Sequence, residues 1–185
     1  SLANIEDSKT ALYGIYLMES FKVNDDLGFD ISTRVDKLKF DIEGNEITKY
    51  DYSTGKYISG QGDYNIDNSF TLLSSKLGTS YAISDFTNLY ASVAFANQAP
   101  TTSELDETSD LKKSSSTNYE VGVKTRTNNL SYDLALYQNY VDDEIIQIKD
   151  ASGDSIYDNA GKKKKKGLEF NLSYDLTSTL EVGGS

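Results

Sequence analysis

The chain has 185 residues and a formal net charge of −11, because 18 Lys and Arg residues oppose 29 Asp and Glu residues. This acidic balance argues against a nucleic-acid partner, since a phosphate backbone requires a surface rich in Lys and Arg. The sequence has no His and no Cys, which removes most zinc sites, cysteine nucleophiles and Ser-His-Asp catalysis.

Apolar and polar residues alternate with a period of two along most of the chain, which predicts β-strands. In chain order, the alternating segments are 10–23, 27–35, 38–42, 70–84, 87–97, 117–126, 129–148, 168–176 and 179–185. At Asp36-Lys37 the apolar phase slips by one residue, and we interpret this slip as a β-bulge within one strand. The pattern therefore predicts eight strands and no convincing helix.

The connections between these strands are of two kinds that alternate along the chain. Tight polar turns are predicted at 24–26, 84–86, 127–129 and 176–178, and longer polar connections at 43–69, 98–116 and 149–157. Bacterial outer-membrane barrels have short periplasmic turns and longer extracellular loops, whereas a soluble sandwich has no reason to keep this asymmetry. The sequence therefore predicts an all-β fold, an antiparallel transmembrane β-barrel segment of about eight long strands.

Short sequence words from about Ser74 onward carry a more specific signal. They are 76–81 (KLGTSY), 87–92 (TNLYAS), 96–105 (ANQAPTTSEL), 111–112 (LK), 115–124 (SSTNYEVGVK), 134–137 (LALY), 141–146 (VDDEII), 158–162 (DNAGK) and 166–170 (KGLEF). In order and spacing they resemble the C-terminal half of the barrel of TonB-dependent outer-membrane receptors. Residues 9–14 with 27–30 resemble a preceding hairpin of the same family.

The resemblance implies a location in the bacterial outer membrane and a transport function without a cofactor or enzymatic activity. Barrels of this family have roughly 22 strands around a plug domain, so residues 1–185 are expected to be a partial barrel without the plug or the final strands. The implied ligand is a scarce nutrient, most often a ferric siderophore and sometimes cobalamin, haem or a sugar. The resemblance also implies the TonB complex as a partner, acting through the plug. Outer-membrane lipid and lipopolysaccharide are the other expected partners of a barrel in this membrane.

Two other interpretations of the pattern remain open at this point. One is a complete small eight-stranded outer-membrane barrel with an anchoring or adhesion role. The other is a soluble extracellular β-sandwich that acts as a binding module.

Aromatic and basic residues supply the candidate binding positions. The predicted outer loop at 43–69 carries Tyr50, Tyr52, Tyr57 and Tyr64, whose rings are suited to stacking on a siderophore. The alternative is that these tyrosines extend strands or lie at the membrane interface. By their polar phase, Arg34, Lys124 and Arg126 are expected to face the lumen, where they are candidates for contact with the plug.

The basic run from Lys162 to Lys166 has two interpretations. By default it is a solvated flank of a loop. Counting back from Leu168, however, Lys162, Lys164 and Lys166 fall on the lipid-facing phase, where they would meet lipopolysaccharide phosphates at the outer rim.

Acidic residues provide no credible catalytic or metal site. Asp142, Asp143 and Glu144 are adjacent, whereas paired-carboxylate catalysis needs two groups held across a cleft. The segment 150–154 lacks the spacing and the closing Glu of a calcium loop. No catalytic residue and no metal ligand is therefore predicted.

Overall fold

The computed structural model describes residues 4–51, 53–151, 153, 155–159 and 161–185, and these residues form an antiparallel sheet. The strands are β1 Asn4–Lys22, β2 Leu27–Asp51, β3 Lys56–Ser84, β4 Thr87–Gln98, β5 Ser114–Arg126, β6 Leu130–Asp142, β7 Ile145–Lys149, β8 Ser155–Asn159, β9 Lys163–Thr177 and β10 Leu180–Gly184. A six-residue helix, α1 Thr102–Glu107, lies between β4 and β5. The main sheet has the order β1-β2-β3-β4-β5-β6-β9-β10, and β7 pairs with β8 in a separate hairpin.

Eight long strands were predicted, and eight strands form the main sheet. In the described part of the chain, no helix is long and apolar enough to cross a lipid bilayer. Short turns connect the strands at one end of the sheet, as the sequence predicts. At the first of these turns the side-chain oxygen of Asn24 accepts hydrogen bonds from the amides of Asp26 and Leu27, at 3.0 and 2.8 Å. Such Asx turns explain why Asn and Asp are frequent between strands.

The end of the sheet nearest these turns has one apolar face and one polar face. We call the face that carries Ile31, Leu77 and Leu136 the outer face, and the opposite face the inner face. These three side chains are 46%, 48% and 54% exposed, and no described element covers them. The register places apolar residues of neighbouring strands side by side on this face, as in the pair Val121 and Leu136. A large apolar surface of this kind requires an apolar medium or partner.

The predicted bulge at Asp36-Lys37 is wrong. The β1–β2 register runs from Asn4 to Lys22 without a shift, and the β2–β3 register is unbroken as far as Glu46. The backbone alternation therefore continues through Asp36, and it is the apolar residues that change face. They occupy the outer face up to Val35 and the inner face from Leu38 onward.

The change of face has its cause in a small hydrophobic core above Val35, which we call the loop core. Phe40 and Ile42 of β2 pack there with Leu105 of α1 and Leu111 of the same connection. Leu105 and Ile42 are fully buried. The half-buried residues packed against this core are Leu38, Tyr64, Ile66, Phe70, Ala99, Ile145 and Tyr157. Two connections, the one that contains α1 and the one that contains β7 and β8, thus fold over the inner face and bury its apolar residues.

The structure also corrects two boundaries that the sequence predicts. Residues 43–69 are not a long loop, because β2 continues to Asp51 and β3 begins at Lys56, so the true turn is short. Outer-face residues of β3 between 61 and 71 are exposed while inner-face residues are half-buried, so this strand has a polar sequence that resembles a loop. The predicted strand 129–148 breaks at Asp143, whose φ of 54° ends β6 before β7 begins.

Helix α1 forms because its first turn is fully capped. The side chain of Thr101 accepts from the amide of Glu104, and the Glu104 carboxylate accepts from the amide of Thr101 at 2.7 Å. This capping box satisfies two amides that a short helix otherwise leaves unpaired. The helix in turn presents Leu105 to the loop core.

Substituting Leu105 by Ala should open the loop core without affecting the main sheet. Removing a fully buried Leu side chain costs about 2–5 kcal/mol of local stability, and connections open locally before a sheet does. Trypsin, added to membranes that contain the intact protein, should therefore cut faster at Lys112 and Lys113, which follow Leu111. Ser103→Ala, an exposed position on the same helix, is the matched control. Equal cleavage rates in the two variants would contradict the assignment of Leu105 to the core.

Candidate functional site

A cavity of about 710 Å³ lies where the folded-over connections meet the inner face. Its walls come from the upper ends of β4, β5, β6 and β9, including Ser116 and Asn139, and from the α1 connection, including Pro100 and Glu104. This volume is within the range of pockets that hold small molecules. We call it the loop-covered cavity.

Two polar side chains in this cavity lack partners among the described residues. Asn139 and Lys165 are directly paired positions on β6 and β9, and both line the cavity. The Asn139 Oδ1 atom is buried without a hydrogen-bond partner. A buried acceptor of this kind is costly unless a donor reaches it. The pair therefore offers a hydrogen-bond acceptor beside a positive charge.

The carboxylates of the cavity are already engaged. Glu144 forms an ion pair with Lys163 at 3.0 Å, and Glu104 caps α1. The positive charge of Lys165 is therefore not neutralised by either carboxylate. An anionic group that also donates a hydrogen bond has the chemistry to fit this end of the cavity.

Hydrogen bonds between two connections hold the cover of the cavity in place. The Asn159 side-chain amide donates to the carbonyls of Lys112 and Asp143, at 3.0 and 2.9 Å, and its Oδ1 accepts from the Lys112 amide at 2.8 Å. The Lys113 ammonium donates to the Thr71 carbonyl at 2.7 Å. These hydrogen bonds join the β7–β8 hairpin, the α1 connection and β3 into one layer.

The three basic residues predicted by polar phase all lie on the inner face. Arg126 forms a bidentate ion pair with Asp133, with both contacts at 2.8 Å. Arg34 donates hydrogen bonds from Nε and Nη2 to the Asp36 carboxylate, at 2.7 to 3.0 Å.

Lys124 lines open space on the inner face. Its ammonium lies 4.8 Å from the centre of the Tyr90 ring, whose hydroxyl donates to Glu120 at 2.8 Å. These residues, with Asp30 and Lys76, line a second inner-face cavity of about 660 Å³. Their charges of both signs suit contact with water or with another polar protein surface.

The predicted tyrosines do not gather at the loop-covered cavity. Tyr50 and Tyr57 form a cross-strand pair at the tip of the β2–β3 hairpin, with ring centres 5.2 Å apart and an interplanar angle of 70°. Tyr64 packs against the loop core, and its hydroxyl lies 3.3 Å from a Glu6 carboxylate oxygen. Tyr52 lies outside the described residues. Binding by these tyrosines stays a prediction.

Sequence reasoning did not single out Asn139 or Lys165. A signal was available, because alternation from Leu168 places Lys165 on the face opposite Lys164. The structure places Lys164 and Lys166 on the outer face, and Lys162, just before β9, lies 3.4 Å from outer-face Asp142. Among the described residues no cluster of acidic side chains is arranged to hold a metal ion.

The hairpin turn at Asp51 is organised by one carboxylate. It accepts hydrogen bonds from the Ser53 and Thr54 hydroxyls, both at 2.6 Å, and from the Ser53 amide at 2.8 Å. Gly55 closes the turn with a φ of 67°, a conformation that favours glycine. These donors, the two hydroxyls first, lower the pKa of Asp51 from 3.8 to about 2.

The turn should therefore keep its structure well into acid. Since the folded-state pKa of Asp51 lies below its ordinary value, ionised Asp51 stabilises the turn above pH 3.8, and this contribution is lost as the pH falls through about 2. The ¹³C shift of the Asp51 carboxyl, measured in the labelled intact protein, should titrate with a midpoint near 2. In Asp51→Asn the Ser53 and Thr54 amide signals should lose this pH dependence. A midpoint at 3.8 or higher would contradict the hydrogen-bonded turn.

Comparison with known proteins identifies what this fold resembles. A family model described as TonB dependent receptor-like, beta-barrel, matches residues 2–185. The copper transporter OprC has a TM-score of 0.76 and 19% identity, over 95% of this chain and 28% of that one. The hemophore receptor HasR of Serratia marcescens has a TM-score of 0.72 and 16% identity, over 90% and 32%. The alcaligin outer membrane receptor FauA of Bordetella pertussis has a TM-score of 0.64 and 20% identity, over 96% and 29%.

These likenesses show the fold alone, because the identities are low. The chain spans 28% to 32% of the three structures compared.

Proposed function

The chain belongs to the family of TonB-dependent receptors, whose β-barrel model it matches, and from this premise we propose that residues 1–185 form part of the wall of an outer-membrane receptor for active nutrient uptake. In such a barrel the outer face meets lipid and the inner face lines a wet lumen. The exposed Ile31, Leu77 and Leu136 then lie in the bilayer. The short turns are periplasmic, and the layer that covers the cavity is extracellular.

A ferric siderophore is the nutrient that we propose. Several similar structures are named as receptors for siderophores or ferric chelates, including the siderophore receptor PirA of Pseudomonas aeruginosa and the ferric yersiniabactin receptor FyuA of Yersinia pestis. HasR is named for a hemophore and OprC for copper. This chain offers a copper ion a single Met and no His or Cys, whereas copper favours thioether, thiolate and imidazole ligands.

The observation that carries this proposal is the loop-covered cavity with Lys165 beside the unpaired Asn139 Oδ1. Many ferric siderophores are anionic and carry amide or hydroxyl donors on their periphery. Lys165 would attract the negative charge, and Asn139 would accept a hydrogen bond from a donor on the ligand. The extracellular layer would then exclude water around both contacts.

Lumenal charges provide the second part of the proposed mechanism. We assign Lys124, Arg34 and Arg126 to the lumen wall, where they would face a plug domain. In this proposal TonB moves the plug using the energy of the inner-membrane proton gradient, and the ligand passes along the inner face. Lys124 is the best placed of the three for plug contact, since both arginines are held by carboxylates.

Replacing Lys165 by Gln should weaken ligand binding while leaving the barrel intact. A lost hydrogen bond to a charged group costs about 1.5–3 kcal/mol, so the Kd should rise about tenfold or more. We would measure uptake of radioactive iron by iron-starved cells, supplied as a tris-catecholate, a hydroxamate or a carboxylate siderophore. The matched control is Lys112→Gln, which removes the same charge from an exposed loop position.

The controls separate the general proposal from the specific site. TonB-dependent uptake of one chelate, reduced in Lys165→Gln and normal in Lys112→Gln, would support both. Uptake that is equal in both variants would contradict the cavity as the ligand site. If cells that express the receptor show no TonB-dependent uptake of any iron chelate, the proposal that the transported nutrient is a ferric siderophore would be contradicted.

A further inference from the structure

The run of five lysines from Lys162 to Lys166 is divided by strand alternation into two groups. The β6–β9 register pairs Lys164 with Tyr140 and Lys166 with Gln138, all on the outer face. Lys163 and Lys165 occupy the inner face. One basic segment therefore supplies charge to both sides of the barrel wall.

The inner lysines have an assigned environment. Lys163 pairs with Glu144, and Lys165 lines the loop-covered cavity. Neither side chain is available to a partner outside the wall.

The outer lysines form an exposed cationic column. The Lys162 side chain is 89% exposed, and its one carboxylate neighbour is Asp142 at 3.4 Å. The Lys164 ammonium lies 5.3 Å from the centre of the Tyr140 ring. Side chains two residues apart on a strand are separated by roughly 6.6 Å. Three ammonium groups and one carboxylate thus leave a net positive charge on a short strip of the outer face.

This column begins where the apolar surface ends. Next along the outer face of β9 come Leu168, Phe170 and Leu172, and across from them on β6 are Leu136 and Leu134. An aromatic pair marks the same level.

The aromatic pair consists of Tyr140 and Tyr119, whose ring centres are 6.2 Å apart. Tyrosines on the outer face typically mark the boundary between hydrocarbon and headgroups. The outer lysines therefore lie at headgroup height.

The same arrangement recurs on β2, which four strands of the sheet separate from β9. Val35 is the last apolar residue of its outer face in this zone, and Lys37 and Lys39 follow. Lys37 pairs with Tyr13 of β1, as Lys164 pairs with Tyr140. Two separate parts of the wall thus carry lysine and tyrosine directly above the apolar surface.

We propose that Lys162, Lys164 and Lys166 bind the phosphate groups of lipopolysaccharide in the outer leaflet. Lysine is a compact point charge that suits phosphate, and clustered basic residues at a membrane surface each contribute to binding of anionic headgroups. The inference concerns the outer wall of the barrel and is independent of which nutrient the receptor transports.

The test compares two charge variants of the same basic run. The intact outer-membrane protein that contains this sequence is purified in mild detergent as wild type, as Lys162→Gln/Lys164→Gln/Lys166→Gln, and as Lys163→Gln/Lys165→Gln. Lipopolysaccharide retained per protein is measured from its phosphate and fatty-acid content. The outer triple variant should retain several-fold less than wild type, and the inner double variant should retain the wild-type amount.

Further arms address folding and the identity of the ligand. Outer-membrane insertion and resistance to unfolding in detergent are checked for each protein, and a triple Lys→Arg variant should retain lipopolysaccharide. Wild-type protein should also be stabilised against heat by added lipopolysaccharide, less so by the dephosphorylated glycolipid and not by inorganic phosphate. This last comparison needs no variant, so the proposal stays testable if the triple Gln variant fails to insert.

Three results would overturn the proposal. The first is equal retention by wild type and the outer triple variant. The second is an equal loss in the inner double variant, which would show that only total charge matters. The third is equal stabilisation of wild type by the phosphorylated and dephosphorylated glycolipids, which would assign binding to the acyl chains alone.

Discussion

This structure depends on the burial of apolar side chains in two ways: by lipid on the outer face and by the loop core on the inner face. Along the lower half of the sheet the outer face is apolar, since lipid covers it, and the inner face is polar. Above Val35 the outer face of β2 is polar, and the apolar residues occur on the inner face, where the loop core covers them. The backbone alternation itself is continuous. In the proposed orientation, the level at which the apolar face changes is the level at which the wall leaves the membrane.

That change of face also creates the candidate binding site. Because β2 and β3 extend beyond the bilayer with an apolar inner face, they give α1 and the β7–β8 hairpin a surface on which to pack. The resulting layer lies over the inner face and forms one side of the cavity that Lys165 and Asn139 line. Connections held by a core this small open more easily than the sheet beneath them. A ligand site under such a layer can admit a molecule without disturbing the wall.

The eight strands, their antiparallel order and the short turns were predictable from sequence, because period-two alternation and turn residues are local signals. The extended β2–β3 hairpin was not. Its inner residues, such as Phe40 and Ile66, are apolar only because Leu105 and Leu111 cover them, and nothing near them in the sequence indicates this contact. The same limitation affected the site. The tyrosines were chosen by residue type and lie apart from the cavity, whereas Lys165 is distinguished from Lys164 by the face it occupies.

The most direct test of this account is site-directed spin labelling along β2 in the intact protein reconstituted in a bilayer. Residues 1–185 contain no Cys, so a single cysteine placed at any position from 29 to 43 is the only one in this part of the protein. Labels at 29, 31, 33 and 35 should collide with oxygen dissolved in lipid, labels at 37, 39, 41 and 43 with a water-soluble nickel complex, and labels at 38, 40 and 42 with neither. If labels at 38, 40 and 42 instead collide strongly with lipid-dissolved oxygen, the apolar residues stay on the lipid face through a bulge. The continuous strand, the loop core and the cavity beneath it would then be contradicted together.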